Sequence, residues 1–250
     1  MNNMSEQALI RNRGVFSRIL FAIAIGICLT SAYMLDVSHA REPETRPDLN
    51  RLFVDPEFDE WVARFERPGR EVYEQRHQIV AVTGVKPGMS VADIGAGTGL
   101  FTRLFSQEVG EAGKVYAVDI SKVFVDNILR ISSEKNQGNV VGIVNSAAEV
   151  SLPPRSIDLA FICDTYHHFE KPLAMMESIR RALRPRGSVV VIDFRKIKGS
   201  STPWVMEHVR TNRSAVVQEI ESVGFRLVED NDFLRSNYYL RFVATSNIPD

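Results

Sequence analysis

The sequence predicts an α/β domain, a doubly wound and mostly parallel sheet preceded by an N-terminal helical cap. Three observations carry this. Val91-Ala92-Asp93-Ile94 runs into Gly95-Ala96-Gly97-Thr98-Gly99 and then into the amphipathic Leu100-Phe101-Thr102-Arg103-Leu104-Phe105, the order strand, tight turn, helix. Further short runs, continuously apolar as strands buried on both faces are, alternate with helical patterns. Several of these runs end in an acid, Asp119 and Asp164 among them, at the sheet edge where open α/β folds bind ligands. With 250 residues, 44% hydrophobic and 24% charged, the chain is large enough for one well-buried domain plus appendages.

Residues 1–40 read as a targeting segment. Arg11, Arg13 and Arg18 precede the uncharged run from Ile19 to Leu35, and Ser38-His39-Ala40 is a small-x-small cleavage pattern. The run also sits at the lower edge of what spans a bilayer, so a cleaved signal peptide and an uncleaved membrane anchor both fit. Arginines ahead of an apolar run send the following chain outward. The expectation is export to the periplasm or exterior, or anchorage to the membrane; a start further downstream would leave the protein cytoplasmic.

Residues 41–56 are polar and proline-interrupted, a linker. Residues 57–84 form the helical cap: Trp61, Val62 and Phe65 share one face, Pro68-Gly69 breaks the run, and Arg70 to Thr83 resumes it. Arg64, Glu66, Arg67, Arg70, Glu71, Glu74 and Arg76 read as a solvated face, and Tyr73 is the residue expected to lean over a ligand. The main domain occupies 85–250. Lys86-Pro87-Gly88-Met89 is a turn into the first strand, and the helix from Leu100 stops near Gly110. Val115 to Asp119 is the second strand, with Ser121 capping a helix to about Lys135. Val140–Val144 and Ser156–Asp164 are strands three and four. A helix from Pro172 to Leu183 ends in the turn Arg184-Pro185-Arg186-Gly187, and Ser188–Phe194 is strand five. One long helix is expected over Trp204–Val223, then an antiparallel pair, Phe225–Val228 and Tyr238–Ala244.

The glycine loop spaces its glycines as Gly95-x-Gly97-x-Gly99, with Leu100 where a dinucleotide fingerprint wants glycine. Asp93, two residues before the first glycine, repels a pyrophosphate and attracts a cation. Asp119, about 20 residues beyond the loop at the end of strand two, is placed to accept hydrogen bonds from ribose hydroxyls, the role favoured over that of a plain strand-end or capping acid because strand, loop and acid occur in the right order. The binding set is therefore Asp93, Gly95, Ala96, Gly97 and Gly99 with Asp119, its neighbour Ile120, and Tyr73. A net charge of −1 gives no basic excess, so nucleic acid is not the expected partner. Cys28 and Cys163 make no disulfide framework, and Cys163 reads as a small buried hydrophobe.

From about Val85 to Ala244 the sequence resembles the class I S-adenosylmethionine-dependent methyltransferases. Asp93-Ile94-Gly95-Ala96-Gly97-Thr98-Gly99 looks like the family's first motif, Tyr116-Ala117-Val118-Asp119 like its acidic second strand, and Asp158 through Asp164 like its fourth-strand motif. Leu183-Arg184-Pro185-Arg186-Gly187 looks like the turn before strand five. The resemblance implies a Rossmann-like seven-stranded sheet with the last strand antiparallel, and S-adenosyl-L-methionine as cofactor. It places the methionine part on the glycine loop, the ribose on Asp119 and the adenine against the loop Asn145-Ser146-Ala147-Ala148-Glu149.

In methyl transfer the sulfonium already activates the methyl group, and the enzyme chiefly aligns an acceptor in line with the S–CH₃ bond. A general base matters where the acceptor loses a proton. Asp164, Tyr166 and His167 follow strand four and are the catalytic candidates; His167 and His168 read equally as a structural pair. His208 and Arg210 are second-rank candidates for substrate contact, with a solvated helix face as the other reading. No metal site is expected, since the His-His pair lacks a nearby Cys or acid arrangement with ligand spacing. The leading function is methyl transfer to a small-molecule or lipid-like acceptor. A catalytically inactive methyltransferase-like ligand-binding domain outside the cytoplasm and an NAD(P)-dependent oxidoreductase are the alternatives. Membrane contact through the N-terminal segment and the oligomeric state stay open.

Overall fold

A computed structural model describes residues 47–245; the expected targeting segment and the first residues of the linker lie outside them. Seven strands form one sheet in the order β3-β2-β1-β4-β5-β7-β6: β1 Ser90–Ile94, β2 Lys114–Asp119, β3 Val140–Val144, β4 Ile157–Cys163, β5 Leu183–Phe194, β6 Phe225–Asn231 and β7 Asn237–Ala244. The first five pair in parallel, while β7 runs antiparallel to both β5 and β6.

Because side chains alternate faces along a strand, each central strand feeds two cores. One face carries Ala92, Ile94, Ala160, Ile162, Val189 and Val191. It packs against α6 (Pro172–Ala182) and α8 (Arg213–Ser222) through Met176, Ile179, Val216 and Ile220. The other carries Val91, Val115, Ala117, Phe161, Val190 and Ile192. It packs against α3 (Arg76–Thr83), α4 (Leu100–Val109) and α5 (Lys122–Glu134) through Ile79, Phe101, Phe105 and Ile128. Phe105 and Phe161 are fully buried with ring centroids 5.0 Å apart. A sheet covered on both faces has its backbone paired and its flanks sealed, which leaves the carboxyl edge of the strands as the place for a cleft. No helix among the described residues is long and apolar enough to cross a membrane.

Four elements differ from expectation. The long helix over 204–223 is two, α7 (Pro203–His208) and α8, because Asn212 turns extended and its side chain accepts from the Ala215 N–H, starting a new helix. Strand β5 begins at Leu183, which pairs with Ile157, and takes in the expected turn through an irregularity in register. Ser121 occupies the position before α5, but its side chain makes no capping bond. Within the expected linker, Pro47–Phe53 form a 3-10 helix, and Asn50 ties it to the core by donating to the His168 carbonyl (3.0 Å) and to Glu170 (2.9 Å). The cap consists of α1 (Phe58–Phe65), the single turn α2 (Glu71–Glu74) and α3.

Candidate active site

The glycine loop forms the floor of the site. Gly95 and Ala96 N–H both donate to the Val118 carbonyl (2.8 and 3.1 Å), stitching the loop to β2. Gly95 takes φ +71, and a Cβ there would lie 2.2 Å from Thr165 Cγ2, so both backbone and packing demand glycine. Asp119 receives the Gly97 N–H on one carboxylate oxygen and the Ser121 N–H on the other, each at 2.8 Å. Asp93 accepts from Thr102 Oγ1 at 2.6 Å. Burial raises the pKa of Asp93 to about 7, with the Thr102 bond opposing it, and raises Asp119 to about 6 against its backbone N–H donors.

Above this floor lies a cavity of about 930 Å³ whose lining includes Gly95, Gly97, Asp119, Ile120, Asn145 and Asp164. Ile120 is 41% exposed, an apolar wall left open beside Asp119. Trp61 and Phe65 of the cap, Phe53 of the 3-10 helix and Phe124 of α5 form an aromatic side, Phe53 lying 4.8 Å and Phe65 5.0 Å from the Trp61 ring.

Charged groups read as a solvated face instead latch the cap to the sheet edge. Arg70 donates to Asp164 (2.7 Å) and to the Phe65 carbonyl (2.8 Å). Asp164, at φ +50, also accepts from Asn237 Nδ2 at 2.6 Å; burial raises its pKa, with Arg70 opposing. Glu66 receives Arg103 on both oxygens at 2.7 Å and Thr98 Oγ1 at 2.8 Å. Glu71 gathers the backbone N–H groups of Arg235 (2.6 Å), Ser236 (2.7 Å) and Asn237 (3.2 Å).

The same cavity is also lined by His167, His168, Phe194, Trp204 and His208. His167 Nδ1 lies 2.7 Å from Asp193 Oδ1, and the His167 N–H donates to the other Asp193 oxygen at 3.0 Å. In the neutral ring, a proton on Nδ1 facing this carboxylate makes Nε2 the lone-pair nitrogen. His168 Nε2 lies 3.3 Å from His208 Nε2. Burial and the two neighbouring imidazoles lower the His168 pKa to about 2. Trp204 stacks on His208 with centroids 4.5 Å apart. Burial pushes the Cys163 thiol well above its ordinary range, so it is no nucleophile.

Asp93, Gly95, Ala96, Gly97, Asp119, Ile120, Asp164 and His167 all line the cavity, and Gly99 starts α4 just behind the loop. Three candidates lie elsewhere. Tyr166 is fully buried and donates to Glu219 at 3.0 Å. Arg210, expected on a solvated face or at the substrate, joins the same network by gripping Glu219 with both terminal nitrogens (2.7 and 2.6 Å). Tyr73 packs into the core beside α3 with Arg76 over its ring at 4.4 Å; α2 turns Arg70, Glu71 and Val72 to the cavity instead. His208 at the end of α7 brings a third imidazole to His167 and His168, one ring nitrogen of each lying within 4.8 Å of the other two. Asp193, at the end of the apolar run Val189-Val190-Val191-Ile192, was missed although it carries the same acid-at-strand-end signal as Asp119 and Asp164.

This strand order with a glycine loop and an acid at the end of β2 defines a Rossmann-like nucleotide-binding domain of the methyltransferase type. Residues 92–191 match the family model for a methyltransferase domain. The chain is 32% identical over 124 residues to the ubiquinone/menaquinone biosynthesis C-methyltransferase UbiE of Hydrogenovibrio crunogenus, a match covering 49% of this chain and 48% of that protein. It is 29% identical over 180 residues to UbiE of Cupriavidus metallidurans, covering 60% and 72%. The chain spans about half the length of most of these curated relatives. Among solved structures, a SAM-dependent methyltransferase from Aquifex aeolicus superposes with a TM-score of 0.66 at 24% identity, over 75% of this chain and 98% of that one. Residues 92–191 are a methyltransferase domain, and this match with the fold supports the class I S-adenosylmethionine-dependent family, which implies S-adenosylmethionine as cofactor. The residues fit it. Asp119 keeps two of its roughly four lone-pair sites after accepting from the loop, and Gly97 faces the cavity with backbone alone.

Proposed function

We propose that this protein transfers the methyl group of S-adenosylmethionine to a small, ring-bearing acceptor of quinone type. One observation carries the reading: a single cavity joins the glycine loop and Asp119 to a chamber walled by Phe53, Phe194 and Trp204. Its volume, about 930 Å³, is at the upper end of small-molecule sites, ~300–1,000 Å³, and leaves room for a second molecule beside the cofactor. The name of the UbiE relatives, quinone-biosynthesis C-methyltransferases, supports the acceptor class.

When bound, S-adenosylmethionine supplies a methyl group already activated by its sulfonium. The chain's own task is then alignment and exclusion of water. Asp119 would hold the ribose hydroxyls, and Ile120 and Asn145, which line the same cavity, would hold the base. Arg70 is the cation placed to meet the methionine carboxylate. Asp164 has both oxygens engaged by Arg70 and Asn237; it positions the cap rather than removing a proton. The aromatic side chains hold a flat acceptor edge-on or stacked. Neither the oxidoreductase nor the inactive-domain reading gains support from the fold, the site or the relatives.

The test is a calorimetric titration of the full chain with S-adenosylmethionine and NADH, followed by incubation with a short-chain quinol. Micromolar binding of the first ligand alone, and a product heavier by one methyl in place of hydrogen, are expected. Absence of S-adenosylmethionine binding sinks the proposal; binding without product on any quinol removes the acceptor class. We propose export or membrane anchorage by residues 1–40 on the sequence pattern alone.

A further inference from the structure

Three imidazoles meet where one acceptor would need at most one. His167 and His168 stand in a 3-10 turn after β4, and His208 ends α7. One ring nitrogen from each lies within 4.8 Å of the other two, and the Nε2 atoms of His168 and His208 are 3.3 Å apart. Zinc–imidazole bonds of ~2.0–2.1 Å at tetrahedral angles put neighbouring ligand nitrogens about 3.3 Å from each other, so that pair already has the spacing of two ligands on one ion.

His167 supplies the independent observation. Its side chain is 3% exposed, and its Nε2 is buried without a hydrogen-bond partner. A buried lone pair left unmatched is costly, yet the other nitrogen of the same ring is fixed by Asp193. Asp193 in turn is pinned by the backbone N–H of His167 and of Phe194 (2.8 Å). Carboxylate behind imidazole, with the free nitrogen turned inward, is the arrangement that orients a metal-bound histidine and raises its basicity. Phe53 stands edge-on to His168 at 5.2 Å, and Phe194 lies 5.8 Å from His167; with Trp204 stacked on His208 they flank the three rings. A simple His168–His208 hydrogen bond accounts for that contact and leaves His167 Nε2 unexplained.

We infer that His167, His168 and His208 bind one divalent transition-metal ion of the zinc type, with a fourth position open to the cavity. Nitrogen donors without a carboxylate ligand select such an ion over magnesium or calcium. Three protein ligands and an open place are the pattern of a reactive rather than a structural site. The open place faces the chamber assigned to the acceptor, where it would take water or an oxygen or sulfur donor of that molecule. This last step rests on the methyl-transfer reading; ion binding does not.

The test uses the full chain without a histidine tag, stripped by chelator and titrated with Zn²⁺ by calorimetry and with Co²⁺ by visible absorption. One equivalent of each is expected, with the strong d–d bands of a four- or five-coordinate cobalt site. His168→Gln and His208→Gln should each weaken binding by about 100-fold, since even a group behind a ligand is worth ~10–100-fold. His77→Gln, on an exposed position of α3, should change nothing. Cooperative thermal unfolding of each variant confirms that it is folded. Folded wild-type protein that takes up no ion, or affinity unchanged in the His168→Gln/His208→Gln double variant, overturns the site. Protein that binds S-adenosylmethionine but no ion refutes the metal site alone; protein that binds zinc but no S-adenosylmethionine refutes methyl transfer alone.

Discussion

Asp119 accepts two backbone N–H groups and still faces the cavity, so its removal acts on loop and ligand together. Asp119→Ala is expected to weaken S-adenosylmethionine binding by about 1–3 kcal/mol, the range for a buried polar group left unpaired; calorimetry showing an unchanged affinity removes it from the site. Asp93 makes a prediction about pH. Its pKa moves from 3.8 to about 7 on folding. Between those values the folded protein holds more proton than the unfolded chain, so stability falls as pH rises through the window. Asp93→Asn should flatten that decline and gain on the order of 3 kcal/mol at pH 8 relative to wild type, read from denaturant unfolding at several pH values. Identical pH profiles for the two proteins would contradict the assignment. Ligand binding has the opposite slope. A cationic ligand favours ionised Asp93 and Asp119, so S-adenosylmethionine affinity should rise between pH 5 and pH 8, measured by calorimetry.

The cap is held by pairs of groups, and its predictions belong to the elements they join. Arg70 of the cap and Asp164 after β4 have side chains 22% and 7% exposed. Arg70→Ala leaves a buried carboxylate without its cation. It should cost about 1–3 kcal/mol, less than the ~3–5 of a fully buried pair because Arg70 is partly solvated. It should also speed proteolysis within residues 54–70, and adding Asp164→Asn should recover part of the loss. Equal cleavage rates in wild type and variant would show that the pair does not hold the cap. These latches were illegible in the sequence. Glu66, Arg70 and Glu71 sit in a run of charges that any exposed helix would carry, and nothing local says that Arg103, Asp164 and the β6–β7 loop come to meet them. Tyr166 failed in the opposite way. Its neighbours Asp164, Thr165 and His167 all face the cavity, but the 3-10 turn points Tyr166 into the core toward Glu219 on α8.

For the whole molecule, a ligand that binds only the folded chain stabilises it by mass action. S-adenosylmethionine at 100 times its Kd should add about 2.7 kcal/mol, seen as a rise in melting temperature that NADH does not produce. Fusing residues 1–45 to a reporter active only outside the cytoplasm is expected to give signal; a silent reporter with the protein in the cytosol would refute export. What the sequence determined by itself is the order of elements and the glycine-loop side of the cavity. Apolar runs, glycines and strand-end acids are local signals, and the chain delivers each of them to the carboxyl edge of the sheet simply by ending a buried strand there. Only the tertiary structure decided the cap latches and the histidine cluster. His167 and His208 are separated by a helix, a strand and a loop; they meet because β4 and β5 lie side by side and α7 folds back over their ends, a convergence that no spacing in the sequence records.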